Sequence, residues 1–388
     1  MKISPVIFKA YDIRGVYPQD INEEIIFRIG QALVQFSGAK KIVVGRDMRT
    51  SSPALVSALI KGITEAGADV LDVGLVSTST FYFAVRHLKA TAGIQVSASH
   101  NPKEYNGCKI VLRDEKGIIK VGIENGLDKI RDLVMTNDEL RMKNGKPGTV
   151  KQIAGIQEVE IDAAFSCVPL PADMPPLTIV ADPANAMGIP VLTELFARVQ
   201  VINLVRMNFE LDGTFPAHQP DPLQSATLKD LQARVRSEHA DLGIAPDGDA
   251  DRVFFLDEKG DIIPASYITA FIAQEILRQH PGEKVFYDIR YTWNAKRAIE
   301  TYGGTPQVSK VGHAFISRTL RDEGGIFAGE SSGHYFFRDT GYAEGTPLVI
   351  LYVLRALARE RKPISEILAP LVVGHESGEI NFKLKDRE

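Results

Sequence analysis

The chain has 388 residues, more than a single hydrophobic core usually supports, so about two to four domains are expected. Hydrophobic residues make up 44% and charged residues 24%, the balance of a folded globular protein, which excludes a disordered chain. A net charge of −4 offers no basic excess to track a nucleic-acid backbone or an anionic lipid surface.

Cys108 and Cys167 are too few for a disulfide framework and lack the spacing of a zinc site, which fits a reducing cytoplasm. The opening MKISPVIFKAYDIRG holds no signal-like apolar stretch, and the most apolar helix candidate, 347–354, ends at Arg355. Neither nucleic acid nor membrane is expected as a partner. The spacing of Ile21, Ile25, Ile26, Ile29 and Leu33 predicts an amphipathic helix, and Lys41–Gly45 a buried strand. Ser52 and Pro53 read as N-cap and first residue of a helix carrying Leu55, Leu59, Ile60 and Ile63, closed by Gly67. Strands at Val70–Val73 and Gly93–Val96, with a helix near Phe81–Leu88 between them, continue a βαβ run and predict a mostly parallel sheet.

The sequence RMKNGKPGT at 141–149 reads as a linker. Beyond it, strands are expected at Leu177–Ala181, near Val201–Leu204 and at Leu242–Ala245, with helices near Ile189–Val199 and over Leu228–His239. A third run has strands near Val285–Ile289 and Ile326–Ala328 and helices near 267–279, 293–301, 313–322 and 346–360. Pro363–Pro370 reads as another linker, and the tail SGEINFKLKDRE holds one short strand pattern. Three runs of similar size suggest one α/β fold used several times.

Ser99 lies in SASHNPKEYNG, immediately after an apolar strand, in an expected exposed loop. A serine hydroxyl is a poor nucleophile unaided, and His100 and Lys109 are available to polarise it from the same loop and the following strand. Helix N-capping is the alternative that residue types leave open. In DGDADR, Asp247, Asp249 and Asp251 alternate along an extended loop, and three such carboxylates repel one another. A hard divalent cation offsets the repulsion, and an all-oxygen set suits Mg²⁺, which also engages phosphate oxygens. Glu258 stands where a calcium EF-hand would need its last ligand, but Arg252 holds the glycine position and Val253–Leu256 reads as strand. A solvated acidic turn is the remaining alternative. GRDMRTSS at 45–52, KVGHAF at 310–315 and GESSGH at 329–334 mix glycine with charge at strand ends, where ligands gather in α/β sheets. Walker, GxGxxG and HExxH motifs do not occur.

Taken in order, YDIRG at 11–15, GRDMRTSS, SASHNPKEYNGCK, DGTFPAHQPDP at 212–222, DGDADR, KVGHAFI and GESSGHYFF resemble the α-D-phosphohexomutase family over nearly the whole chain, and most nearly its phosphomannomutase/phosphoglucomutase branch. The resemblance implies an α/β fold of three consecutive similar domains, with mixed, mostly parallel sheets around a central cleft. The domains are expected at 1–148, 149–258 and 259–368, with 369–388 the cut-short start of a fourth that would grip the non-reacting phosphate. It implies phosphoserine at Ser99, Mg²⁺ on Asp247, Asp249, Asp251 and the Ser99 phosphoryl, and Arg14, His100 and Lys109 around the transferring group. Glu330 and Ser332 would grip sugar hydroxyls, while Arg252, His313 and His334 line the cleft and Arg290 stands where many relatives have lysine. The expected reaction interconverts hexose 1- and 6-phosphates of mannose or glucose through a 1,6-bisphosphate, with activity reduced by the short C-terminus. A hexosamine-phosphate mutase, a non-catalytic sugar-phosphate binder and, last, an aspartate-nucleophile phosphatase are the competing readings.

Overall fold

The structure is a computed structural model and describes residues 3–136 and 146–376. Strands β1 (Ile13–Val16), β2 (Lys41–Arg46), β3 (Asp69–Leu75), β4 (Ala92–Val96), β5 (Tyr105–Arg113), β6 (Ile118–Lys120) and β7 (Val150–Gln152) form one sheet in the order β1-β5-β4-β2-β3-β7, with β6 paired to β5. A second sheet joins β8 (Leu177–Ala181), β9 (Ile202–Arg206), β10 (Leu242–Pro246), β11 (Val253–Leu256) and β12 (Ile262–Ile263) as β12-β11-β10-β8-β9. The third, β14-β13-β15-β16, contains β13 (Lys284–Asp288), β14 (Thr305–Ser309), β15 (Phe327–Gly329) and β16 (Tyr335–Phe337).

Local chemistry sets the element ends. The helix Glu23–Ser37 starts where Asn22 accepts a hydrogen bond from the Ile25 amide at 3.2 Å, with Glu23 and Glu24 facing the positive end of its dipole. Its apolar stripe, Ile25, Ile26, Ile29 and Leu33, packs on the helix Ser52–Glu65 in one core with β2 and β4. Ser52 lies inside that second helix instead of capping it, because its hydroxyl is engaged by Asp47; Ser51 takes the N-cap position without a side-chain bond. Gly67 follows the helix at φ 88°, the conformation the expected stop required. Ser77 accepts from the Thr80 amide and begins the next helix at Thr78, earlier than hydrophobic spacing suggests.

The sheets are mixed. In each, a parallel strand turns back into an antiparallel neighbour: β4 pairs with β2 and then β5, β10 with β8 and then β11, and β15 with β13 and then β16. The three connections are the loops carrying Ser99, the three aspartates and Glu330, so one topological device delivers all three to the cleft. β7 closes the first sheet by pairing with β3, beyond the boundary expected at residue 148, and β12 extends the second sheet past 258. The second and third sheets share a continuous apolar core, in which Leu192, Leu195, Ile268, Phe271, Leu351 and Leu354 from three helices are buried together. Residues 363–370, expected as a linker, instead fold as the short helix Ile364–Leu368 and a 3-10 turn, with Ile364 and Leu368 buried in that core and Pro363 at the N-cap. Residues 141–145 of the expected first linker and most of the expected fourth-domain segment, 377–388, lie outside the described residues. Among the described residues no helix is long and apolar enough to cross a membrane.

Candidate active site

β4 runs out at Val96 and the chain enters the serine loop with every residue from Ala92 to Ser99 buried. Ser99 is only 3% exposed and adopts φ 52°, a left-handed conformation that costs a non-glycine residue about 1 kcal/mol and must be held from outside. Its amide donates to Ser97 Oγ at 3.1 Å, and its own Oγ donates to Asp247 Oδ2 at 2.9 Å and lies 3.1 Å from His100 Nδ1. The next regular element is a strand, β5, so Ser99 caps no helix. Burial, with the Arg252 and Arg14 guanidinium groups nearby, holds the His100 imidazole far below its usual pKa and therefore neutral. Arg14, on β1, donates to Asp12 at 2.7 Å and to the Asn101 side chain, two residues beyond Ser99.

The turn between β10 and β11 brings the three aspartates together, their oxygens within 4.8 Å of one another and all three side chains buried. Gly248 sits between them against the serine loop: a Cβ there would lie 2.4 Å from the Ser99 carbonyl oxygen, so only glycine allows the two loops to meet. Burial pushes the Asp247 carboxyl up to about 7; Arg252, donating to Oδ2 from two nitrogens at 3.1 and 2.9 Å, only partly offsets this, and Asp249 and Asp251 add to the push. Lys109 reaches over from β5 to within 2.6 Å of Asp249 and 2.5 Å of Asp251. Burial would neutralise this lysine, but the two carboxylates outweigh it and hold it cationic, just as Lys109 and His334 overcome burial to keep Asp251 ionised. Thus Lys109, expected beside the serine, spends its charge on the acidic loop.

Oδ1 of Asp249 is buried without a hydrogen-bond partner, and Oδ1 of Asp251 has only the His334 imidazole, 3.4 Å away. Buried carboxylate oxygens so sparsely partnered in an all-oxygen cluster, next to a serine hydroxyl, are what a hard divalent cation requires, so these residues fit Mg²⁺. Glu258 takes no part, its carboxylate being bonded to Ser365, so the EF-hand count has no structural counterpart.

The third loop docks on the second through an antiparallel bridge between Arg252 and His334. His334 lies 3.4 Å from Asp251 and 3.2 Å from Glu330; burial would lower its pKa, but these carboxylates win and raise it to about 9. Glu330 in turn resists burial through His334 and the Gly312 amide, and falls to about 2. Ser332 Oγ is 2.8 Å from His334 Nδ1. His313 stacks on His334 with ring centroids 5.4 Å apart, and burial together with Lys120 drives its pKa well down. Arg290 extends from the end of β13 to Asp288 at 3.1 Å and lies 3.7 Å from Glu330.

Several residues that build this site were not singled out individually in the sequence. Arg49 lies fully buried beneath the serine loop. Thr78 Oγ1, at a helix N-terminus, lies 2.6 Å from Asp249 and 2.7 Å from Gln95. Asp288 accepts from the Ser331 amide and hydroxyl at 2.7 and 2.6 Å, tying the sugar-loop candidate to β13. Lys120 pairs with Glu344 in the cleft wall, its ammonium 4.8 Å from the Phe336 ring centroid. Polar residue types with no period mark none of these, and only the GRDMRTSS run pointed toward one of them.

Comparison with known proteins bears on what this cleft does. The descriptions phosphoglucomutase/phosphomannomutase alpha/beta/alpha domains I, II and III match residues 5–139, 161–260 and 264–373. A phosphomannomutase of Salmonella typhimurium is 37% identical over 384 residues, spanning 98% of this chain and 83% of that protein. One from Escherichia coli is 38% identical over 382 residues, spanning 97% and 83%. A Burkholderia thailandensis phosphoglucomutase/phosphomannomutase family protein superposes with a TM-score of 0.86 at 33% identity, covering 96% of this chain and 80% of that one. Three matched domains and relatives of this identity over nearly the whole chain leave one assignment: the chain belongs to the phosphoglucomutase/phosphomannomutase family and is a phosphohexose mutase.

Proposed function

We propose that this chain interconverts hexose 1-phosphate and hexose 6-phosphate, with mannose or glucose as the sugar, through phosphoserine 99 and a hexose 1,6-bisphosphate, in the cytoplasm. The observation that carries the reading is the 2.9 Å contact between Ser99 Oγ and Asp247 at the meeting point of the serine and acidic loops. In the first half-reaction the P–Oγ bond of phosphoserine 99 breaks as a P–O bond forms to the free 6-hydroxyl of bound hexose 1-phosphate. The proton that the 6-hydroxyl gives up and the one that Oγ takes up are exchanged through neutral His100, 3.1 Å from Oγ, so that none is left over. After the bisphosphate turns around, its 1-phosphoryl returns to Oγ and hexose 6-phosphate leaves.

Asp247, Asp249 and Asp251, with a Ser99 phosphoryl oxygen, would hold Mg²⁺, which supplies charge neutralisation to the transferring phosphoryl group when bound. Around it, Arg14 and Lys109 contribute fixed positive charge, Arg252 and cationic His334 orient the acidic and sugar loops, and Glu330 and Ser332 accept and donate to sugar hydroxyls. Arg290 and His313 line the same wall. Preorganised charge of this kind supplies most of the catalysis in phosphoryl transfer. The test is turnover of mannose 1-phosphate and glucose 1-phosphate with Mg²⁺ and catalytic 1,6-bisphosphate, beside Ser99→Ala. Loss of turnover in a folded Ser99→Ala variant is expected; unchanged turnover removes the phosphoserine scheme.

A further inference from the structure

We infer that Arg49 is a positioning residue for phosphoryl transfer, a single buried guanidinium that holds the Ser99 loop by its carbonyls; the inference rests on the reading of Ser99 given above. Arg49 is fully buried and so meets no substrate. One terminal nitrogen donates to the carbonyls of Ser99 at 2.8 Å and Asn101 at 2.6 Å, the other to those of Pro102 at 2.7 Å and Tyr105 at 3.0 Å. These four acceptors span the whole turn from the serine to the start of β5. A planar fork with fixed donor directions can satisfy all four, whereas a lysine ammonium has three donors and no plane.

The guanidinium is itself held. Asp47 Oδ1 accepts from the Arg49 amide at 3.0 Å and Oδ2 lies 3.2 Å from Nε. From the second sheet's side, Phe215 covers the guanidinium at 5.1 Å, and the same loop donates from Gln219 to the His100 carbonyl at 3.0 Å and accepts the Gly248 amide on Pro220. Arg49 therefore fixes the left-handed serine from below and, through Phe215, fixes it relative to the loop that carries Asp247. Its charge serves geometry: the carbonyl side of the turn is pinned, and Oγ is left facing the acidic cluster.

The experiment compares Arg49→Lys, Arg49→Ala and Phe215→Leu with the parent chain, following kcat, KM and the single-turnover rate of Ser99 phosphorylation by glucose 1,6-bisphosphate, with melting curves to confirm folding. Displacing a reacting group by about 1 Å costs on the order of 100-fold, so kcat and the phosphorylation rate of Arg49→Lys should fall by about that factor while KM stays within about threefold. Added guanidinium, and not methylammonium, should restore about tenfold of the rate to Arg49→Ala. Folded Arg49 variants with near-parental kcat, or a rescue that both cations give equally, would overturn the inference. Should both Arg49 variants fail to fold, Phe215→Leu decides: a lower kcat at unchanged KM supports the clamp, and an unchanged kcat overturns it. Ser99→Ala separates the two levels, since turnover surviving that change sinks the phosphoserine reading, while turnover lost there but kept in folded Arg49→Lys sinks only the role of Arg49.

Discussion

Replacing Gly248 by alanine adds one methyl group at the tightest point of the active site. The new Cβ would stand 2.4 Å from the Ser99 carbonyl oxygen, 3.0 Å from its carbonyl carbon and 3.1 Å from Pro220 Cγ. Neither neighbour is the free end of a flexible side chain. The Ser99 carbonyl is pinned by Arg49 at 2.8 Å, and Pro220 is fixed through the Gly248 amide bonded to its own carbonyl. An ordinary carbon to oxygen contact is about 3.3 Å, so the serine and acidic loops must separate by roughly 1 Å. Overpacking of this kind costs about 1–3 kcal/mol in stability, and a shift of that size between reacting groups costs on the order of 100-fold in rate. Steady-state kinetics on glucose 1-phosphate, with a melting curve for each protein, measures both. The expected outcome is a lower melting temperature and a kcat/KM down about 100-fold; a folded Gly248→Ala enzyme within threefold of the parent would show that the two loops need not meet as described.

Glu160 offers a pH test away from the chemistry: burial raises its carboxyl to about 7, with hydrogen bonds from Thr80, Ser79 and Gln157 partly opposing the rise. Because the folded state binds this proton more tightly than the unfolded state, its contribution is fully present below about 4.5 and is lost as pH rises through about 7. Glu160→Gln should therefore gain on the parent at pH 8, by up to about 3 kcal/mol, and not at pH 4; parallel pH-dependent melting of the two proteins would count against this. Lys120→Met leaves Glu344 buried and unpaired and should destabilise the chain by about 3–5 kcal/mol, whereas Lys120→Met with Glu344→Leu should recover most of the loss. Denaturant titration of the single and double variants checks this, and equal loss in both would refute it. Removing Mg²⁺ with a chelator should lower the melting temperature, by the equivalent of about 2.7 kcal/mol at one hundred times the dissociation constant, and Asp249→Asn should shrink that shift; a metal-independent melting curve would exclude the assigned site.

The fold was legible where periodicity is strong. Leu177–Ala181 and Val253–Leu256 appear as read, and the helices near 293–301, 313–322 and 346–360 fall where hydrophobic spacing places them. What escaped were the strands Ile13–Val16, Thr305–Ser309 and Tyr335–Phe337, too short or too polar for a period to emerge. With two of them went antiparallel partners of the expected mixed sheets. The helix Ile156–Cys167 was also invisible, since its residues alternate charged and apolar without a clear stripe. The candidate site was legible as motifs because serine, aspartate and glycine clusters stand out in sequence. Its supporting residues were not, because Thr78, Gln95, Asp288 and Lys120 act through contacts with residues far away in the chain, which no local pattern records.

The pairing of buried lysines has a bearing on how the chain can be dissected. Lys109 and Lys120 both belong to the first sheet, yet Lys109 finds its counter-ions on the turn between β10 and β11 and Lys120 finds its own beyond β16. Expressed alone, the first sheet would present two cations shaped for partners it does not contain, and the second would present three crowded acids without their ammonium. The modules are thus electrically incomplete when separated and neutralise one another only on assembly. A chimera that exchanges one module between two family members must carry both sides of each ion pair, or it will join surfaces whose charges no longer cancel.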